Sequence, residues 1–265
     1  MTSNMPVLFI GHGSPMNIIL ENDFTRSLAA LTKKLPRPKA VMVVSAHWLT
    51  NGTYVTCVKK PKTVHDFYGF PQELYEMDYP SPGAPDEARL ACEAVRKVTV
   101  ACDREWGLDH ASWAVLKHMY PHADIPVFEM SLDYSFNDWH PKPLQYHYDL
   151  AGELGSLRKQ GVLIIGSGNI VHNLELIDFE DMGAKPYDWA MEFDSQVKDH
   201  LLHQNHQGLI RYQNNGKASA LSVPTLDHYL PMIYAIALQE KNEPLTFFHE
   251  GFQNASVSMR CFQIG

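Results

Sequence analysis

Three apolar runs of nearly the same design constrain this chain more than any other feature. Val41-Met42-Val43-Val44-Ser45-Ala46-His47-Trp48 is the clearest: four apolar residues, two small ones, then a histidine. A run that is apolar at every position, rather than at every second one, is buried on both faces, as in a parallel sheet. The design recurs at Val7-Leu8-Phe9-Ile10-Gly11-His12-Gly13-Ser14-Pro15 and at Val162-Leu163-Ile164-Ile165-Gly166-Ser167-Gly168-Asn169, with His172 close behind. Open α/β sheets take their ligands beyond the carboxyl ends of the strands. The pattern therefore predicts three imidazoles delivered to one rim, a metal site assembled from distant parts of the chain.

The rest of the sequence supplies elements to cover such a sheet. Residues 23–35 alternate at helical spacing and are stopped by Pro36 and Pro38. The resulting βαβ unit is right-handed and puts His12 and His47 on one edge. Further strands are expected at 54–58, 98–101, 126–132, 245–249 and 256–264. Helices are expected at 86–98, from the 106–113 loop to about 120, at 144–159 before Gly161, and at 187–203. A last helix opens within 223–232, with Thr225 or Asp227 near its N-cap, and 204–220 reads as a polar loop. Without internal repeat or linker, the expectation is one α/β domain over residues 1–265. Its central sheet is mostly parallel or mixed, flanked by helices on both faces, with the metal site at the carboxyl edge.

A net charge of −8 over 265 residues argues against a nucleic-acid partner, which needs a basic face. No apolar run reaches membrane-spanning length, and residues 1–6 lack the basic and apolar regions of a signal peptide, so a cytoplasmic protein is expected. Cys57, Cys92, Cys102 and Cys261 show no CxxC spacing and are expected to be thiols in a reducing compartment. Of the 14 histidines, His200, His203 and His206 fall in a polar stretch, His118 and His122 flank a Tyr-Pro turn, and His140 and His147 lie among aromatic residues. All seven read as solvated or packing residues.

Neutral imidazole is the commonest ligand for zinc, iron and copper, and a site with an open position takes about three protein ligands. His12 and His47 are the first two candidates. A lone histidine there would read as a hydrogen-bonded core residue, but two at equivalent strand ends with His172 beyond a third make a site. His228 is the candidate third ligand, with Asp227 beside it to orient the ring. His172 is either a fourth ligand or a group that acts on the substrate.

The motifs Gly11-His12-Gly13-Ser14-Pro15, Ser45-Ala46-His47-Trp48, His65-Asp66-Phe67-Tyr68-Gly69-Phe70-Pro71, Leu108-Asp109-His110, Gly166-Ser167-Gly168-Asn169-Ile170-Val171-His172-Asn173 and Pro224-Thr225-Leu226-Asp227-His228-Tyr229-Leu230-Pro231 together resemble the class III extradiol ring-cleaving dioxygenases, specifically their 4,5-DOPA dioxygenase branch. The resemblance runs from about residue 6 to the C-terminal strand. It implies one divalent metal ion, Zn2+ or Fe2+, held at the positions of His12 and His47 and by a third ligand. It also implies a small-molecule catechol and O2 as the reactants, and ring opening to a semialdehyde acid. Protocatechuate-cleaving relatives supply glutamate as that third ligand, whereas His228 stands in the corresponding region here. His172 and His110 are the candidate proton-transfer groups, since imidazole titrates near neutrality; a helix-capping loop histidine is the rival account of His110. His65, Tyr68 and Phe70 would wall an aromatic pocket, and Asn169 would orient a substrate oxygen or stabilise its turn. The alternative from another reaction class is a zinc-dependent hydrolase or lyase using a metal-activated water. A dinucleotide site is disfavoured, because Gly166-Ser167-Gly168 lacks the third glycine and no P-loop lysine is present.

Overall fold

The computed structural model describes residues 4–135 and 140–265. The first three residues of the expected non-signal N-terminus and the side chain of His140 lie outside that description. Eleven strands occur among the described residues: β1 Val7–Gly11, β2 Ala40–Thr50, β3 Thr53–Thr56, β4 Val100–Asp103, β5 Val127–Ser135, β6 His140–Pro141, β7 Val162–Gly168, β8 Leu245–His249, β9 Phe252–Gln253, β10 Val257–Ser258 and β11 Cys261–Ile264. The helices are α1 Asp23–Thr32, α2 Gln72–Tyr75, α3 Pro85–Ala94, α4 His110–Met119, α5 Leu144–Gly152, α6 Gly155–Lys159, α7 Asp188–Leu202, α8 His206–Ile210, α9 Lys217–Ser222 and α10 Leu230–Ala237.

The main sheet runs β4-β3-β5-β2-β7-β1-β11-β8. Its centre, β5-β2-β7-β1, is parallel, as the continuous apolar runs require. Antiparallel pairings of β3 with β5 and of β11 with β1 make the whole sheet mixed. Alternate side chains of the central strands enter two cores. Val7, Phe9, Met42, Val44 and Ile164 pack under α5, α7 and α10, while Leu8, Ile10, Val41, Val43 and Leu163 pack under α1 and α4. Helices therefore cover both faces and leave the carboxyl ends of β1, β2 and β7 together at one rim.

The structure corrects several expected boundaries. β2 does not stop at His47 but continues to Thr50, and its register against β5 shifts between Val44 and Leu49. His47 sits in that irregular stretch. The expected 144–159 helix is two, α5 and α6, meeting at Glu153 and Leu154. The 204–220 loop folds into α8, a 3-10 turn and most of α9. Neither Thr225 nor Asp227 caps α10, whose N-cap is Tyr229. The cysteine expectation is corrected as well. β3 and β4 are adjacent parallel strands, and Cys57 and Cys102, with Cα atoms 5.4 Å apart, form a disulfide. Cys92 and Cys261 are free thiols. The sequence separation of 45 hides a proximity that only strand pairing creates.

Candidate metal centre

His12 is the first residue after β1. Gly13 turns the chain there at φ 64°, where a Cβ would also lie 2.5 Å from the sulfur of Met259. At the end of β7, Gly168 lets another segment lie on the strand: a Cβ there would meet the carbonyl oxygen of His228 at 2.2 Å. The next backbone N–H, of Asn169, donates to that same carbonyl at 2.9 Å. Through these contacts the His228 segment is laid across the rim beside His12.

Each of the three rings has a polar neighbour at Nδ1, hydrogen-bonded for His12 and His228. Ser167 Oγ donates to the carbonyl of Ala111 at 2.6 Å, so it can only accept from His12 Nδ1–H, 3.1 Å away. His47 Nδ1 lies 3.3 Å from Asp66 Oδ2. His228 Nδ1 donates to Asp227 Oδ2. With the proton of His47 on Nδ1, toward Asp66, the Nε2 atoms of His12 and His47 present facing lone pairs 3.3 Å apart. Two facing lone pairs repel unless a cation lies between them. That spacing is the edge of a tetrahedron whose nitrogens stand about 2.0–2.1 Å from one ion, as in zinc sites. One ligand atom from each of His12, His47 and His228 lies within 4.8 Å of the others, so these residues fit a divalent metal.

Electrostatics agrees. Burial, reinforced by the neighbouring imidazoles, holds His12 and His47 well below the usual histidine range, so both stay neutral and able to ligate. Burial pushes the Asp66 carboxyl up, but its hydrogen bonds and charge interaction with His110 outweigh that and keep it an anion. Asp227 is likewise raised by burial and lowered further by His228, with a net displacement downward.

The other anticipated residues divide. His172 is brought to the cluster, its ring stacked on that of His228 with centroids 3.5 Å apart. His110 joins it as well, 4.0 Å from the His47 ring, its Nδ1 bonded to Asp66 Oδ2 at 2.8 Å. His110 is the first residue of α4, but the capping side chain is that of Asp109, which accepts from Ala111 N. His65 packs among Phe67, Tyr75 and Trp113, with Nε2 on the Met77 carbonyl at 2.9 Å. Tyr68 stands 91% exposed at the tip of its loop, and Phe70 packs on Phe67. Asn169 donates its amide to the Ser258 carbonyl, while its buried Oδ1 has no partner among the described residues. Among the histidines set aside, His147 bonds Tyr234 and His206 bonds Tyr148 and Gln239.

Two residues that organise the site carried no role in the sequence reading. Asp66 accepts from His110 N and serves the rings of both His110 and His47. Ser167 orients His12 from the neighbouring strand. The His-Asp pair at 65–66 signals the first only weakly, and nothing local signals the second. Behind them lies a buried chain of bonds: His47 N donates to Ser45 Oγ, which donates to Asp109, whose N donates to Glu129. Burial, then the charge of Asp66, pushes the Asp109 carboxyl up to about 7.

Known proteins can be compared with this arrangement. The family described as the catalytic LigB subunit of aromatic ring-opening dioxygenase matches residues 4–258. A 4,5-DOPA dioxygenase extradiol of Escherichia coli K12 is 43% identical, covering 100% of this chain and 96% of its own. One from Beta vulgaris is 33% identical over 96% of this chain and 94% of its own. The crystal structure of an uncharacterized Escherichia coli K12 protein superimposes with a TM-score of 0.84 at 40% identity, covering 98% of this chain and 100% of that one. A histidine cluster at the carboxyl rim of a mixed sheet, matched from end to end by ring-opening enzymes, places this chain in the LigB family of extradiol aromatic ring-opening dioxygenases.

Proposed function

We propose that the protein opens the ring of DOPA, or of a close catechol relative, by 4,5-extradiol cleavage with O2, yielding a semialdehyde acid that retains both oxygen atoms. The observation that carries this reading is the pair of facing Nε2 atoms of His12 and His47, with a ligand atom of His228 close enough to complete the set. These three residues would hold one divalent metal, Fe2+ or Zn2+. A divalent ion there supplies Lewis acidity toward the catechol oxygens and, if redox-active, electron transfer from catechol to O2.

The chain's own residues supply the proton chemistry in this reading. His172, stacked outside the three ligands, takes a catechol proton and returns it later. His110, held by Asp66, offers its Nε2 to a substrate oxygen. Tyr68 closes over the ring from its exposed position, and His65 backs the aromatic loop. Asn169 Oδ1, buried without a partner, accepts a substrate hydroxyl or a water bound beside it.

The test is anaerobic purification, separate loading with Fe(II) and Zn(II), addition of L-DOPA, and simultaneous recording of O2 uptake and the visible spectrum. Oxygen consumption with a yellow product is expected, lost in His47→Ala through metal loss and in His172→Ala with metal retained. No uptake with either metal across a panel of catechols would sink the reading.

A further inference from the structure

His47 stands in a stretch of β2 that the sheet itself does not hold. Val44 pairs with Met130 of β5 and Leu49 with Leu132, so residues 45–48 stand against Ser131 alone. On the other side, the pairing of β2 with β7 ends at Ser45. Extra residues in a bulge are left unpaired, so the position of His47 depends on contacts outside the ladder.

Those contacts converge on one side chain. Ser45 Oγ accepts from His47 N at 3.0 Å and is bonded to Asp109 Oδ2 at 2.6 Å. The other oxygen, Asp109 Oδ1, accepts from Ala111 N at 3.0 Å, the capping bond that starts α4 with His110 as its first residue. Asp109 thus joins the backbone that carries His47 to the helix end that carries His110, separately from the link that Asp66 makes between the two rings. Glu129 of β5 braces this connection. Its Oε1 accepts from Asp109 N at 2.7 Å and its Oε2 from Trp106 Nε1 at 2.9 Å. The Trp106 ring in turn stacks on Trp48, the residue after His47, with centroids 5.6 Å apart.

Ser45, Asp109 and Glu129 are all fully buried, and these bonds engage both oxygens of each carboxyl group. Such groups do not reach a substrate; what they can do is fix a distance. We propose that Asp109 is a positioning residue that, through Ser45 on one side and Ala111 on the other, sets the separation of the His47 and His110 rings, whose centroids lie 4.0 Å apart. The task needs shape rather than charge: an asparagine amide could accept from Ala111 N and donate to Ser45 Oγ from the same two positions. Its consequence for turnover rests on the reaction proposed above, in which His47 holds the metal and His110 meets a substrate oxygen. A misplacement of about 1 Å in such a constellation can cost about 100-fold in rate.

Zinc-loaded protein with labelled histidines should show a nuclear Overhauser effect between the His47 and His110 rings. Ser45→Ala removes the tether but leaves the α4 cap in place; it should weaken that effect severalfold and Zn2+ binding about tenfold, read by chelator competition. Asp109→Asn should keep both within about twofold of the unaltered protein, by the amide geometry above, whereas Asp109→Ala should lose both. An unchanged Overhauser effect in Ser45→Ala would overturn the proposal. So would a loss in Asp109→Asn as large as in Asp109→Ala, which would mark a charge or proton role instead. If Asp109→Ala fails to fold, Ser45→Ala against Asp109→Asn decides alone. With Fe(II), Ser45→Ala should lower kcat about tenfold and leave KM for L-DOPA nearly unchanged; an unaltered kcat beside a weakened Overhauser effect would overturn the role in turnover. Absence of O2 uptake in the unaltered enzyme would instead overturn the proposed reaction, leaving the zinc-loaded measurements to decide the positioning.

Discussion

Asp66 serves two imidazoles at once, and Asp227 serves one, so the charges that orient the centre stand one bond behind it. Outer carboxylates of this kind fix ring tautomer and raise ligand basicity, and their loss typically weakens metal binding 10–100-fold. Asp227→Asn should therefore weaken Zn2+ binding by about that factor, read by competition with a chromogenic chelator. Asp66→Asn should do so too, and should in addition lower kcat through His110, so that its kcat loss exceeds that of Asp227→Asn at saturating metal. His12, His47 and His172 were legible because each follows an apolar run with small neighbours, whereas His228 stood out only by the aspartate beside it. Asp66 was not, because its partners, His47 and His110, lie 19 and 44 residues away and only folding brings them to it. Ser167 was hidden for a different reason: inside an apolar strand a serine reads as a small filler.

At the level of elements, the close approach between β7 and the His228 segment is the most demanding contact at the rim. Gly168→Ala would drive a methyl group into the His228 carbonyl, and the backbone must move to relieve it. Such overpacking costs about 1–3 kcal/mol, and here the displacement carries His228 with it. The expected outcome is a folded protein, by circular dichroism, whose metal affinity falls far more than its melting temperature does. The β3–β4 edge gives a contrasting prediction. Removing the Cys57–Cys102 link, by Cys57→Ala with Cys102→Ala, should cost about 2–4 kcal/mol in urea unfolding and leave metal affinity unchanged, since no ligand lies on those strands. Central strands were legible because burial on both faces writes an unbroken apolar run. The continuation of β2 past His47, the break between α5 and α6, and the folding of 204–220 were not, because register shifts and tertiary packing leave no local periodicity.

For the molecule as a whole, buried ionisable groups set how stability responds to acid. His147, in the α5–α10 contact, is lowered to about 4, chiefly by burial, against 6.5 unfolded. Below 6.5 the unfolded chain binds a proton that the folded one refuses. The contribution is thus fully present above about 6.5 and is lost as pH falls toward 4. Between pH 7 and 4.5 the loss from this residue is about 2–3 kcal/mol. His147→Phe should flatten the acid limb of a urea-midpoint profile by that amount. Asp109 has the opposite sign: raised to about 7, it favours the folded state at low pH and loses that effect as pH rises from about 4 to 7. Metal at 100 times its dissociation constant should add about 2.7 kcal/mol of stability, a rise of roughly 5–11 °C in Tm for a chain of this size, reversed by chelation. Among the described residues, no helix is long and apolar enough to cross a membrane.

If His228 is the third ligand, as proposed, the ligand set itself carries no charge. Three neutral imidazoles with a divalent ion sum to +2, and Asp66 and Asp227, just outside, bring the sum to zero. A neutral catechol can enter such an enclosure without adding charge, but a doubly ionised one would leave it at −2 in surroundings that solvate charge poorly. The two hydroxyl protons therefore have reason to stay nearby rather than escape to solvent, which is the task that the reading proposed above gives to His172 and His110.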